Sequence, residues 1–309
     1  MEIIYLLIGI GIILWGADLM TDGAVGIASR MGISELVIGL TVVAMGTSAP
    51  ELFVSLMSAV DGAPGMAVGN VIGSNLFNIL VIGGLSALVA PITVAKKTVN
   101  RDIALMTAAS IVMLLLGLDD SLGRIDCIIL FALFIVFIIN TIRVANAGKI
   151  TDGVKNKKVE LPVWRAILYV LIGLACLVGG GKLFVMGATI LAQKLGVSDA
   201  IIGLTVVAAG TSLPELATSL VAAARGKSDL AIGNVVGSCV FNILLILGLT
   251  GIISPLNMAG ITVIDIVVMA VSPCVFWLFS HSKLKIERWE GAVLFLIYVG
   301  YIVYRIKTL

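Results

Sequence analysis

Charged residues are scarce in this chain. Only 12% of its 309 residues are Asp, Glu, Lys or Arg, whereas 60% are hydrophobic. Soluble domains usually carry about 25% charged residues. The composition therefore excludes a chain folded around one soluble core and predicts a polytopic membrane protein embedded in a lipid bilayer.

Groups that support catalysis are equally sparse. The single histidine, His281, lies at the end of an apolar run, where a solvated position is expected rather than a proton relay. No Ser/His/Asp or Cys/His arrangement and no phosphate-binding loop with a Walker lysine occurs. The cysteines lack the spacing of metal or redox sites and are expected to be small buried hydrophobes: Cys127, Cys176, Cys239 and Cys274. These absences argue against an enzyme, an ATP-driven pump, a resident cofactor and a nucleic-acid partner.

Apolar runs long enough to cross a bilayer recur along the whole chain. They predict an all-α protein with ten membrane spans, the first of them retained because Met1 to Tyr5 lacks the basic start of a signal peptide. The predicted spans are 3–29, 35–60, 65–89, 102–118, 124–144, 163–194, 199–224, 229–253, 261–280 and 288–305.

The two halves of the chain repeat each other. A shift of 164 positions aligns them without a gap from Gly9 on Gly173 to Pro91 on Pro255. The sequence predicts a five-helix repeat over 1–144, a short cytoplasmic linker over 145–162 and a second repeat over 163–309. Since five is odd, the second repeat must be inverted in the membrane, as in many secondary transporters.

Basic residues predict the topology. Fifteen of the 20 Lys and Arg residues fall on the side of the loop that follows the first span. The positive-inside rule places that side in the cytoplasm. We therefore expect a cell-membrane protein with both termini outside and the central loop between spans five and six inside.

Each half carries a carboxylate inside an apolar span. The stretches are Gly46-Thr-Ser-Ala-Pro-Glu51 and Gly210-Thr-Ser-Leu-Pro-Glu215. A charged residue at membrane depth costs about 3 kcal/mol or more, so it indicates function. The proline should break each span near the glycine and free backbone carbonyls, which must then face protein, water or an ion. Hydroxyls, carbonyls and a carboxylate form an all-oxygen set suited to Ca²⁺ or Na⁺. A capping box, with the serine capping the next helix, is the structural alternative.

A second motif recurs in the third and eighth spans. It reads Gly69-Asn-Val-Ile-Gly-Ser74 and Gly233-Asn-Val-Val-Gly-Ser238, followed by Asn78 and Asn242. Ser and Asn four positions apart share one helix face, and ion coordination is expected for them. For the glycines, close helix packing is expected instead.

Spans one and six differ from the others in carrying many glycines and no matched carboxylate motif. One hypothesis is that this smooth surface lets the two spans slide against the rest of the protein. Asp18, Asp22 and Lys182 lie in their later parts, and Asp18 aligns with Lys182. Interfacial, snorkelling charges are the simplest interpretation of these three residues.

The paired motifs resemble the α-repeats of the sodium/calcium exchanger family, within the cation/calcium exchanger superfamily, whose prokaryotic members have ten helices. The resemblance implies a central Ca²⁺ site made by Glu51 and Glu215 with the carbonyls of Thr47 and Thr211. It also implies flanking Na⁺ sites and a site centre. These would use Ala44, Ser48, Ser74, Asn78, Ala208, Ser212, Ser238 and Asn242.

The resemblance thus implies an electrogenic antiporter that exchanges Na⁺ for Ca²⁺ by alternating access, with spans one and six moving. Potassium-dependent relatives carry Asp at one or both positions equivalent to Asn78 and Asn242, so K⁺ dependence is not expected. Ca²⁺/H⁺ exchange is the alternative, since glutamates can carry protons. Two further alternatives rank below both antiporters: a cation channel, which could use the same oxygen ligands, and an intramembrane protease, which could use the two carboxylates. The sequence leaves the oligomeric state open.

Overall fold

The computed structural model describes residues 2–151, 161–195 and 208–308 and is almost entirely helical. Two pairs of short strands join its loops. The helices are α1 (Glu2–Met31), α2 (Glu35–Thr47), α3 (Ala49–Val60), α4 (Pro64–Val89), α5 (Lys96–Leu116), α6 (Arg124–Thr151), α7 (Val163–Lys194), α8 (Ala208–Thr211), α9 (Leu213–Ala224), α10 (Ser228–Ile253), α11 (Val263–His281) and α12 (Arg288–Thr308).

The helices confirm the predicted polytopic membrane fold. Within the described residues, eight are long and apolar enough to cross a bilayer, and α2 with α3 forms a ninth span bent by 45°. The predicted seventh span corresponds to α8 and α9, and its first part lies outside the described residues. One predicted bound is wrong by more than a few residues. The fourth span begins at Lys96 and not at residue 102, because no proline stops the helix between them. The fifth span, Arg124–Ala145, agrees with the predicted 124–144, and α6 itself continues to Thr151.

Four two-residue strands tie the repeats together. Strand β1 (Ile92–Thr93) pairs antiparallel with β4 (Lys285–Ile286), and β2 (Ser121–Leu122) pairs with β3 (Leu256–Asn257). The shift of 164 positions converts one pairing into the other. Each pair joins two loops that the predicted topology places on the same side of the membrane, which agrees with the predicted order of spans.

Helices α4 and α10 contain matching π-helical turns, Phe77–Ile82 and Phe241–Leu247. Such turns add a residue to the helical repeat, change the direction of the side chains and occur frequently at functional sites. Each turn holds one of the two asparagines, Asn78 or Asn242, and both side chains are buried. The local sequence contains no proline at these turns and does not predict them.

Helices α1 and α7 pack against each other along what we call the glycine seam. An added Cβ at Gly16 would lie 2.9 Å from the carbonyl oxygen of Gly173, and one at Gly173 would lie 2.7 Å from that of Gly16. Its six members recur every seven residues: Gly9, Gly16, Gly23, Gly173, Gly180 and Gly187. These six glycines therefore face the other long helix, and the hypothesis that spans one and six slide against the rest of the protein stays a prediction. The glycines hold α1 and α7 together as one unit.

Candidate cation-binding site

Both predicted breaks are present, and each lies at a serine. Ser48 separates α2 from α3 with φ −84° and ψ 6°, and Ser212 separates α8 from α9 with φ −91° and ψ 8°. Pro50 and Pro214 follow in the first turn of the next helix. The expected break near the glycine is two residues early, because the helix continues through Thr47 before the proline forces it to stop.

The two repeats exchange hydrogen bonds across the site. Ser48 Oγ donates to Glu215 Oε1 at 2.9 Å, and Ser212 Oγ donates to Glu51 Oε1 at 2.9 Å. Neither serine makes a side-chain cap to its own helix. The capping-box alternative is thus wrong for these residues. The serines join the carboxylate of one repeat to the broken helix of the other, so the two motifs build one site.

Among the described residues, each carboxylate keeps one oxygen without a hydrogen-bond partner. Glu51 is 0% and Glu215 1% exposed, and within the described residues Oε2 of each is buried with no hydrogen-bond donor. No Lys or Arg of the described ranges pairs with either glutamate. Two buried, unpaired carboxylates are costly unless a positive charge joins them. The site therefore fits a bound cation.

The other serine and asparagine side chains of the predicted site are buried, and one of them lies beside the hydrogen-bonded carboxylates. Ser212 Oγ also lies 3.4 Å from Ser74 Oγ, which brings α4 to the same place. The side-chain oxygens of Ser238, Asn78 and Asn242 are buried without a partner among the described residues. The set remains dominated by neutral oxygen ligands, because no third Asp, Glu, His or Cys of the described ranges joins the two glutamates.

Asn75 is a site neighbour that the repeat does not reveal, since its counterpart is Cys239. Its Oδ1 accepts a hydrogen bond from Asn242 Nδ2 at 3.3 Å, which leaves Asn242 Oδ1 as the unpartnered atom. The amide of Asn242 is thereby held with its oxygen available for a ligand.

One of the backbone ligands expected from the sequence, the carbonyl of Ala44, keeps its helical hydrogen bond. Ala44 O accepts the helical hydrogen bond of Ser48 N at 2.9 Å and also lies 3.4 Å from Thr47 Oγ1. The expectation that this carbonyl loses its usual partner is therefore wrong, although a carbonyl oxygen has a second lone pair. On the other side, Ala208 begins α8 and Thr211 ends it half-buried. The ligand roles of these four residues remain predictions.

Asn70 and Asn234 are structural residues of the site that the sequence analysis missed. Asn234 Nδ2 donates to Glu215 O at 3.3 Å and to Ser219 Oγ at 2.9 Å, and Asn70 makes the matching bonds to Glu51 O and Ser55 Oγ at 3.3 and 2.9 Å. Each amide ties its helix to the carboxylate-bearing half-helix. Both belong to the repeated Gly-Asn-x-x-Gly-Ser motif, and this recurrence was the signal available.

Asn234 also makes a contact that crosses between the repeats. Its Oδ1 accepts a hydrogen bond from Thr47 Oγ1 at 3.2 Å, and the residue is 0% exposed. We expect Asn234→Ala to weaken cation binding by roughly tenfold, since a lost buried hydrogen bond costs about 1–3 kcal/mol. Titration of binding to the purified protein measures this. As the control, Ser219→Ala removes only the bond that Asn234 makes to Ser219 within its own repeat, and an equal loss in both variants would contradict a role for the contact to Thr47.

The glycines of the second motif pack as predicted in the second repeat. An added Cβ at Gly233 would lie 2.7 Å from Leu36 O, and one at Gly237 would lie 2.7 Å from the Cβ of Ala44. These contacts bring α10 against α2 beside the site. The corresponding partners of Gly69 and Gly73 would lie in 200–208, where the structure describes no side chains, so their packing stays a prediction.

Comparisons with known proteins agree with this arrangement. The family model described as "Sodium/calcium exchanger protein" matches residues 1–143 and 165–307, two segments offset by the repeat length. The chain is 31% identical over 337 residues to the sodium/calcium exchanger MaX1 of Methanosarcina acetivorans, covering 96% of each protein. It is 37% identical over 257 residues to the inner membrane protein YrbG of Escherichia coli, covering 81% of this chain and 79% of that protein.

A solved structure resembles the whole fold. It is the sodium-calcium exchanger NCX_Mj soaked with 10 mM Na⁺ and 10 mM Sr²⁺, which superposes with a TM-score of 0.86 at 33% identity and covers 98% of this chain and 97% of that one. The match to the family extends over nearly the whole chain. It agrees with the broken spans, the inverted repeat and the paired carboxylates. This chain belongs to the sodium/calcium exchanger family.

Proposed function

We propose that this protein exchanges Na⁺ for Ca²⁺ across the cell membrane by alternating access and that the exchange is electrogenic. The observation that carries the proposal is the crosswise pair of hydrogen bonds, Ser48 to Glu215 and Ser212 to Glu51. Because these bonds join both carboxylates in one buried place, the cations must share a single set of ligands. The similarity to exchangers named for Na⁺ and Ca²⁺ supports this choice of ions.

The charge of the site supports competition between the ions. Two ionised glutamates carry a charge of −2, which one Ca²⁺ neutralises and two Na⁺ also neutralise. Since Ca²⁺ and Na⁺ use the same hard oxygen ligands, occupancy by one opposes occupancy by the other. A third Na⁺, as the coupling of the family implies, would carry one net positive charge per cycle and make transport sensitive to membrane potential.

The amides at Asn78 and Asn242 add no charge to the site, so K⁺ is not required as a counter-ion. All of the proposed ligands belong to this one chain. With both termini outside, the central loop lies in the cytoplasm, and the basic residues of the inner loops support this orientation.

Ca²⁺ flux into proteoliposomes tests the proposal. With the membrane potential clamped, an outward Na⁺ gradient should drive ⁴⁵Ca²⁺ uptake, and an inside-negative or inside-positive potential should change its rate. Addition of K⁺ at fixed potential should leave the rate unchanged. Uptake driven by a pH gradient and indifferent to Na⁺ would replace Na⁺ by H⁺ as the coupling ion. Flux that needs no counter-ion would indicate a channel.

A further inference from the structure

Two ion pairs connect α1 to the end of α9. Arg225, the residue that follows α9, lies 2.7 Å from Asp18 Oδ1 through Nη2 and 2.6 Å from Asp22 Oδ1 through Nη1. Helix α9 carries Glu215, whereas α1 belongs to the unit held by the glycine seam. These charges therefore join the α1–α7 unit to an ion-binding half-helix and are more than solvated interfacial residues.

The inverted repeat contains the same pair with its charges exchanged. The shift of 164 positions relates Asp18 to Lys182 and Arg225 to Asp61. In the first pair the acid, Asp18, lies on the long helix and the base, Arg225, follows the half-helix. In the second pair the base, Lys182, lies on the long helix and the acid, Asp61, follows the half-helix. Both Lys182 and Asp61 are exposed, and within the described ranges neither forms an ion pair.

The backbone presents Asp61 and Arg225 in the same way. Asp61 caps α3 with φ −76° and ψ 6°, and Arg225 caps α9 with φ −85° and ψ 6°. The next residues are Gly62 and Gly226 with φ +83° and +70°. Both turns close with a 2.8 Å bond, from Ala63 N to Ser58 O and from Lys227 N to Ala222 O. Both ends are therefore Schellman turns with the same geometry. The two ends differ in how the long helices pack against them.

That packing is one-sided. Both α1 and α7 pack against α9, whereas among the described residues neither makes more than isolated contacts with α3. The protein is therefore closed at the end marked by Arg225 and separated at the end marked by Asp61. With the predicted topology, the closed end is cytoplasmic.

We propose that the two charge pairs are alternating gates: Asp18 and Asp22 with Arg225 hold the cytoplasmic end closed in the present state, and Lys182 with Asp61 closes the extracellular end in the opposite state. This inference rests on the proposed alternating-access exchange. In the opposite state, α7 would pack against α3 as α1 now packs against α9. Exposed ion pairs are weak and so can break and reform in each cycle.

The gates are unequal. Asp22 corresponds to Met186, so the cytoplasmic end has two ion pairs and the extracellular end would have one. A ligand-free protein is thus biased toward the state seen here, with the end at Asp61 open. Such a bias shifts populations without changing the ion site itself.

Charge exchange tests the unseen gate. Lys182→Glu and Asp61→Lys each place like charges together in the closed extracellular end and should slow ⁴⁵Ca²⁺ exchange by about two- to fivefold, as expected for weak exposed pairs. The Asp61→Lys, Lys182→Glu double variant should recover the wild-type rate. Lys307→Glu, at an exposed basic residue on α12, controls for the change in net charge that Lys182→Glu makes. Slower exchange in the double variant than in either single variant would overturn the proposal.

Cross-linking tests the same pair without requiring transport. Mercury should link Asp61→Cys to Lys182→Cys, and the parent protein with its four native cysteines provides the background. The Asp18→Cys, Arg225→Cys protein should link readily, since those positions are already paired. Absence of the 61–182 link in protein that forms the 18–225 link would overturn the gate. Since neither link depends on the coupling ion, failure of Na⁺-driven flux would overturn the proposed function separately.

Discussion

Glu51→Gln and Glu215→Gln should each reduce ion exchange by more than about 100-fold, beyond the effect of losing a group that only supports a ligand. Each change removes half of the negative charge from one buried site and keeps the shape of the side chain. A neutral amide cannot balance a divalent cation, and its NH₂ group would point a donor toward the ion. Exchange of ⁴⁵Ca²⁺ for unlabelled Ca²⁺ in proteoliposomes measures the loss without assuming a coupling ion.

Glu287→Gln is the control for this pair of variants. Glu287 lies in the loop before α12, where the hydrogen bond and charge of Lys283 lower the pKa of its carboxyl group. It is distant in sequence from both motifs, and exchange should stay at the wild-type rate. Substantial exchange by the Glu51→Gln, Glu215→Gln double variant would show that the cation path lies elsewhere.

The second large effect is expected at the glycine seam. In Gly173→Val, the new Cβ would lie 2.7 Å from Gly16 O and from Met20 N, which are backbone atoms that cannot turn away. Overpacking of this kind costs about 1–3 kcal/mol, and here it would force α1 and α7 apart. We expect a lower unfolding temperature in detergent, followed by size-exclusion chromatography, and a loss of exchange in the fraction that remains folded.

Gly179→Val is the matched control for the seam. It puts the same side chain into the same helix, but a Cβ at Gly179 would meet nothing within 4 Å among the described residues. Its unfolding temperature should stay close to that of the parent protein. Equal destabilisation by the two substitutions would mean that valine disturbs α7 by its helix propensity and not by contact with α1.

Much of the architecture is predictable because the chain repeats itself. The offset of 164 positions, the odd number of helices in each half and the prolines at positions 50 and 214 together imply inverted repeats with broken spans. Burial of Glu51 and Glu215 also follows, since a carboxylate within an apolar run must find a partner inside the protein.

The bonds that join the halves are not predictable in this way. Ser48 has a local candidate partner in Glu51, three residues away, and local reasoning favours that capping pattern. In the structure, Ser48 instead donates its hydrogen bond to Glu215, because the two helix breaks meet and each serine contacts the carboxylate of the other repeat. Such a choice depends on tertiary contact between segments more than 160 residues apart.

The difference between the two ends is also absent from the repeat. Two nearly equivalent halves predict equal packing of α1 on α9 and of α7 on α3, yet only the first is formed. A protein that alternates between two states must break its own symmetry in each of them. Under the proposed gates, the sequence contains the charges for both arrangements, and this structure displays the one closed at Arg225.

Equilibrium binding of ⁴⁵Ca²⁺ to the purified protein tests most directly whether the two motifs form one shared site. The wild-type chain should bind one Ca²⁺ that Na⁺ displaces, and Glu51→Gln or Glu215→Gln alone should remove that binding completely. Two independent sites would instead leave one bound Ca²⁺ in each single variant, and this result would contradict a single site built from both repeats.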